Sequence, residues 1–268
     1  MNATPNAGRR PSWSSRLQRI VEPLVGIGAA LLTWEIAARV AANATLVPSP
    51  ATVWSAFLAM RGDELPADIG ASLLHLSIGY VLGAGTGLLL ALLAGSSRWL
   101  AAVLEPFAEF LRPISPIAWI PLAILLFGVG RAVPVFLIFY AALFPIFVGA
   151  FDGIRRVDRG LVNAAQSLGA SRRTIATHVI LPAALPSIVA GARLSLGVAW
   201  MALVAGEIVG GDAGIGWRIL WYQEFFQMDR VLALILIVGA LGLAADGLLR
   251  LAQRRLLRWH PSALEATR

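Results

Sequence analysis

Few residues in this chain have both the type and the setting to do chemistry. Three charges fall inside long apolar stretches: Arg112, Arg193 and Glu207. A charge at membrane depth is costly, so each must face protein or water, and a cation held there suits the route of an anion. Arg193 sits in Gly191-Ala192-Arg193-Leu194, and two readings stand for it. It lines the path of an anionic solute, or it pairs with backbone carbonyls or a carboxylate. Glu207 is excluded as that partner, because along a straight helix it lies about 21 Å away. Arg39, near the edge of its stretch, can snorkel to the interface. The histidines, His75, His178 and His260, are scattered, with no i, i+4 partner and no carboxylate cluster, so no metal site is expected. There is no cysteine, which removes disulfides, thiolate metal sites and thiol nucleophiles together. No Gly-x-Ser-x-Gly elbow or triad-like histidine appears, so no catalytic residue and no cofactor are expected. All 22 basic residues are arginine. A nucleotide-binding P-loop needs its lysine, so any ATP hydrolysis must belong to another polypeptide.

The elements that hold these residues follow from composition. Of 268 residues 58% are hydrophobic and only 14% charged, with a mean hydropathy of +0.75. Soluble domains run near 25% charged, so this is an all-α integral membrane protein. Six spans fit, roughly 22–42, 70–95, 102–127, 132–151, 186–209 and 230–250, each near the ~20 residues a crossing needs. The net charge of +7 and pI near 11.2 invite a nucleic-acid reading. The arginines instead cluster in loops beside apolar spans, which is membrane orientation, not nucleic-acid binding. Fifteen lie on one side: Arg9, Arg10, Arg16, Arg19, Arg98, Arg155, Arg156, Arg159, Arg172, Arg173, Arg250, Arg254, Arg255, Arg258 and Arg268. Only Arg61, Arg131, Arg218 and Arg230 lie on the other. Both termini and the loop at 152–185 are therefore expected in the cytoplasm. The first stretch carries Trp34, Glu35 and Arg39 and reads as a retained helix, although Ala42-Asn43-Ala44 has the look of a signal cleavage site.

Within that cytoplasmic loop the spacing is distinctive. Leu161, Ala164, Ala165 and Leu168 stand at i, i+3, i+4, i+7 on one helical face, and Asn163 precedes the alanine pair. Gly169 follows where a helix end needs positive φ. Ser171 can cap a second helix running through Val179 to Leu181 and Pro182. Helix, glycine corner, helix, with small alanines on the apolar face, lets another protein approach the backbone closely. Here the chain resembles the permease subunits of bacterial ABC importers, whose cytoplasmic "EAA" loop has this spacing. Asn163 stands where that family usually has an acid, and Val179 where it often has isoleucine.

Other stretches resemble the nitrate/sulfonate/taurine branch of that family. Leu46-Val47-Pro48-Ser49-Pro50 provides an N-cap and a first-turn proline for a short helix to about Met60. Arg112-Pro113-Ile114-Ser115-Pro116, with Pro121 beyond, removes backbone donors and breaks a regular ladder. Such a segment belongs beside the bundle interior or a pathway, not lipid. It ends at Phe127-Gly128-Val129-Gly130, after which Arg131 and Pro134 replace the branch's usual acid and lysine. Gly79, Gly83, Gly87, Ala91 and Gly95 recur every fourth residue, a groove for close helix packing or for a sliding contact. Five glycines from Gly206 to Gly216, with Glu207 and Asp212 among them, argue against regular helix and for a mobile or closely packed turn. Asp246 and Arg250 at i, i+4 form a structural pair.

The expected organisation is a cytoplasmic tail at 1–20, a first helix and interfacial helix at 21–67, a permease domain at 68–252 and a second tail at 253–268. The resemblance implies a type I ABC importer permease fold. It further implies a homodimer of six-helix subunits in the bacterial inner membrane, two cytoplasmic ATP-binding subunits and a periplasmic solute-binding protein. The docking loop would comprise Asn163, Ala164, Ala165, Leu168, Gly169, Leu181 and Pro182. Arg112, Pro113, Pro116, Arg193 and Glu207 are the candidates for the pathway of a small anion such as an aliphatic sulfonate, taurine or nitrate. A secondary transporter or channel without an ATPase is the alternative, but it would need mid-membrane coupling acids and internal repeats that are not evident.

Overall fold

The structure, a computed structural model, describes residues 13–41, 46–62 and 65–257. The arginines at 9, 10, 258 and 268, His260 and the Ala42-Asn43-Ala44 site lie outside the described residues. Eleven helices occur among the described residues: α1 Trp13–Val40, α2 Pro50–Met60, α3 Leu65–Ser96, α4 Arg98–Leu111, α5 Ile120–Phe127, α6 Ala132–Arg155, α7 Arg159–Ser167, α8 Arg172–Ile175, α9 Leu181–Gly210, α10 Ile215–Glu224 and α11 Met228–Leu256. Helix α1 begins inside the expected tail. Ser49 caps α2 through the Thr52 N–H, with Pro50 in its first turn.

Among the described residues, four segments are long and apolar enough to cross a membrane: 65–96, 132–155, 172–210 and 228–256. The expected third span is not one straight crossing. Helix α4 and the segment Pro116–Phe127 meet at 90°. Pro113 and Pro116 each remove a backbone donor at the break, and a 3₁₀ turn over Pro116–Trp119 restarts the chain.

At the centre is α6, buried along much of its length between α3 and α9. The small-residue stripe of α3 serves this packing. A Cβ at Gly83 would stand 2.4 Å from the Phe139 carbonyl oxygen, and one at Gly87 2.4 Å from that of Leu143. The contact lies within one subunit. Helices α6 and α9 approach as closely, with Gly149 facing Gly191 backbone to backbone. Tyr140, Phe144, Phe147 and Phe151 on α6 fill the space toward α4.

The fifth span departs from expectation at both ends. It is continuous with α8, so one helical rod runs from Arg172 to Gly210. At its far end the glycines do not melt it, because α9 holds helix through Gly206 to Gly210 and α10 resumes at Ile215. Gly206 instead permits contact with Pro134, and Gly210 with Val133, leaving only residues 211–214 as the turn.

Candidate functional site

The Gly169 corner has the geometry its sequence requires. Asp158 accepts from the Gly160 N–H and caps α7. At the other end Gly169 has φ of +78°, the Ala170 N–H donates to Ala165 O, and the Gly169 N–H donates to Gln166 O. That pair of bonds is a Schellman motif, which satisfies the last carbonyls of the helix. Ser171 then caps α8 through the Thr174 N–H at 3.2 Å. Leu161 and Leu168 are exposed, Leu168 by 88%, and Asn163 and Ala164 are open beside them. This apolar face is therefore uncovered within the chain. Leu181 and Pro182 are half-buried at the junction where α8 becomes α9, so they join corner to rod and do not belong to the open face.

A second feature is a cavity of about 550 Å³ between the end of α4, α6 and α9. Arg112, Pro116, Tyr140, Asp152, Arg156 and Leu194 line it. Two guanidinium groups against one carboxylate give the lining a positive balance, and Gly149 and Gly191 form its floor. Tyr140 donates to the Leu111 carbonyl at 2.6 Å, which ties α6 to the α4 break and holds Arg112 at the rim. Pro113 is exposed and lies beside the cavity without lining it.

Arg193 and Glu207 do not join this cluster. Arg193 points to α11, where its Nε donates to Asp246 Oδ1 at 2.9 Å. Asp246 also accepts from Arg250 Nε at 2.8 Å, so the expected i, i+4 pair forms and becomes a triad with α9. Glu207 is fully buried and lines none of the cavities described here. Its carboxylate accepts from Ser72 Oγ and from the Gly216 N–H, each at 2.9 Å. His75 Nδ1 lies 2.9 Å from the other oxygen. Ser72 Oγ–H and the Gly216 N–H are two donors to this carboxylate, and the α10 N-terminus adds its partial positive charge.

The fold nevertheless brings one histidine to a single carboxylate, because His75 meets Glu207 across 132 positions of sequence. Asp68, Ser72 and His75 are all buried on one face of α3, at i, i+4, i+7. Asp68 bonds Arg218 Nε at 2.7 Å, and Ser72 accepts from the Ile215 N–H, so the stripe fastens α10 to α3. That spacing was the available signal, and a search for short-range metal spacing passes over it. Among the described residues no group of three or more His, Cys, Asp or Glu is placed to hold a metal.

A long-helix membrane bundle with an uncovered glycine corner defines a transport component, and the comparisons place it. Over residues 67–258 the chain matches, and it belongs to, the family of binding-protein-dependent transport system inner membrane components. It is 39% identical over 222 residues to the putative aliphatic sulfonates transport permease protein SsuC of Bacillus subtilis, covering 82% of this chain and 80% of that one. It is 34% identical to the taurine transport system permease protein TauC of Escherichia coli, covering 94% of each. The bicarbonate transport system permease protein CmpB of Synechococcus elongatus is 36% identical, covering 95% of this chain and 97% of that one. The crystal structure of an amino acid ABC transporter with histidines shares the fold, with a TM-score of 0.55 at 20% identity over 75% of this chain and 94% of that one. The chain is therefore an inner-membrane transport subunit, in a family whose members are not enzymes.

Proposed function

We propose that this subunit forms the translocation pathway of an ATP-binding-cassette importer for a small oxyanion, a sulfonate such as taurine or an inorganic anion such as nitrate or bicarbonate. The observation that carries the reading is the cavity at the α4 break, where Arg112 and Arg156 outnumber Asp152. Relatives named for sulfonates, taurine and bicarbonate agree in that each named solute carries an oxyanion group. The working unit would be two copies of this chain with two ATP-binding subunits and a soluble solute-binding protein. In this reading the arginine-rich side, with both termini and α7, faces the cytoplasm. Each ATP-binding subunit grips the Leu161–Leu168 face, and its movement passes through Gly169 and α8 into α9, which walls the cavity. Alternating access follows when that rod shifts against α6.

The test is uptake of radiolabelled taurine, sulfonate, nitrate and bicarbonate by vesicles holding the assembled transporter. A charge-assisted hydrogen bond contributes about 1.5–3 kcal/mol. Arg112→Gln and Arg156→Gln are each expected to lower uptake about ten-fold or more, with the ATP-binding subunits still co-purifying. Wild-type uptake in both variants would remove this cavity from the path.

A further inference from the structure

We infer that the groove between α9 and α11 is a phospholipid site, taking an anionic headgroup at Arg193 beside the Asp246–Arg250 pair and an acyl chain along Gly197, Trp200 and Gly239. The groove encloses about 800 Å³, separate from the Arg112 cavity apart from shared Ala190 and Leu194. Its walls are apolar, and Leu243 and Met201 stand open to 76% and 75%. A Cβ built at Gly197 or Gly239 meets nothing within 4 Å, so these glycines are not there for packing inside the chain.

Charge and depth identify the occupant. Asp246, which lines the groove with Arg193, serves two guanidinium groups, Arg193 and Arg250, so the triad beside the groove carries one positive charge in excess. Counted from Met228, Asp246 lies about 27 Å along α11, and Arg193 lies about 26 Å from the Gly210 end of α9. A hydrocarbon core is ~30 Å thick, so the triad sits near the boundary on the α7 side. The glycines and Trp200 reach from there into hydrocarbon depth. Basic pockets between transmembrane helices at that level bind anionic headgroups. The α1 helix of a second copy is the rival occupant. Its Trp13 end carries Arg16 and Arg19 against one acid, Glu22, so it would add cations where an anion is called for.

The full chain is reconstituted in phosphatidylcholine vesicles containing a minor share of either brominated phosphatidylglycerol or brominated phosphatidylcholine. Quenching of Trp200 is read as the difference between wild type and Trp200→Phe. One arginine at an anionic surface gives about a five-fold preference, so Trp200 should favour phosphatidylglycerol by about that factor. Arg250→Gln, which keeps the Arg193–Asp246 bond, should abolish most of the preference. Gly239→Leu fills the groove without touching a charge and should remove the excess quenching itself. Equal quenching by both lipids in wild type, or unchanged quenching in Gly239→Leu, overturns the site. Loss of self-association in Gly239→Leu with the lipid preference intact would assign the groove to a second copy, and equally overturns it.

Discussion

Gly169→Val tests the docking corner most directly. Gly169 holds φ of +78°, a region that a β-branched residue enters only under strain. A Cβ there meets nothing within 4 Å, so the cost is backbone strain alone, uncomplicated by a clash. Such strain amounts to about 1–3 kcal/mol. The chain can avoid it only by giving up the Gly169-to-Gln166 and Ala170-to-Ala165 bonds, each worth about 0.5–1.5 kcal/mol, so the two routes cost the same. A nine-residue helix is marginal by itself. The population of correctly capped α7 should therefore drop, and the Kd for the ATP-binding subunit should rise about 5- to 150-fold. The membrane bundle makes few contacts with α7, so its thermal unfolding in detergent should not change. Gly169→Asn is the control, since asparagine visits left-handed backbone routinely. Binding by the valine variant at wild-type affinity would refute the reasoning. So would an asparagine variant as impaired as valine, which would point to the missing flexibility of glycine and not to its φ.

Three further outcomes are expected. Gly214→Ala places a Cβ 2.3 Å from Glu207 Oε1 at a residue with φ of +107°, and should lower thermal stability more than Glu207→Gln does. Glu207→Gln removes the charge that the Ser72 and Gly216 donors meet, costing about 1–3 kcal/mol, and equal melting of the two variants would deny the carboxylate its role. Arg193→Gln removes the α9–α11 bridge and should lower the melting temperature while leaving anion affinity unchanged; lost uptake in a fully assembled, stable variant would return Arg193 to the pathway. A reporter active only in the periplasm, fused after Arg172, should be silent, and activity there would reverse the orientation.

What could be read from the sequence was whatever depends on neighbours along the chain. The corner at Gly169, the caps at Ser49 and Ser171, and the break after Arg112 are local effects of glycine, hydroxyl and proline chemistry, and each stands where its residues require. The stripe from Gly79 to Gly87 announced a close helix contact, but only the fold shows that α6 receives it. Long-range polar partners were out of reach. His75 has Ser72 and Asp68 at helical spacing, but nothing along the chain pairs that stripe with Glu207, 132 positions away from His75. The glycines on either side of Glu207 misled for a related reason. Glycine weakens a helix in water, yet Gly206 and Gly210 lie against Pro134 and Val133, where tight packing outweighs that intrinsic preference.

Pro182 shows how a local rule can fail in a way that matters mechanically. A proline lacks an N–H and its ring collides with the carbonyl four residues back, so a helix is expected to stop or kink near it. Here the preceding turn widens instead. Residues Ala176–Ile180 are π-helical, and the Leu181 N–H donates to the Ala176 carbonyl, five residues back. The wider turn makes room for the ring without ending the helix. Residues 172–210 consequently form one rod roughly 58 Å long, anchored by Ser171 at the corner and by Glu207 at the opposite end. A kink at Pro182 would let the corner move without the span. Because the helix carries through this turn, displacement of α7 is expected to pass along it, by way of Pro186, toward Gly191 and the Arg112 cavity.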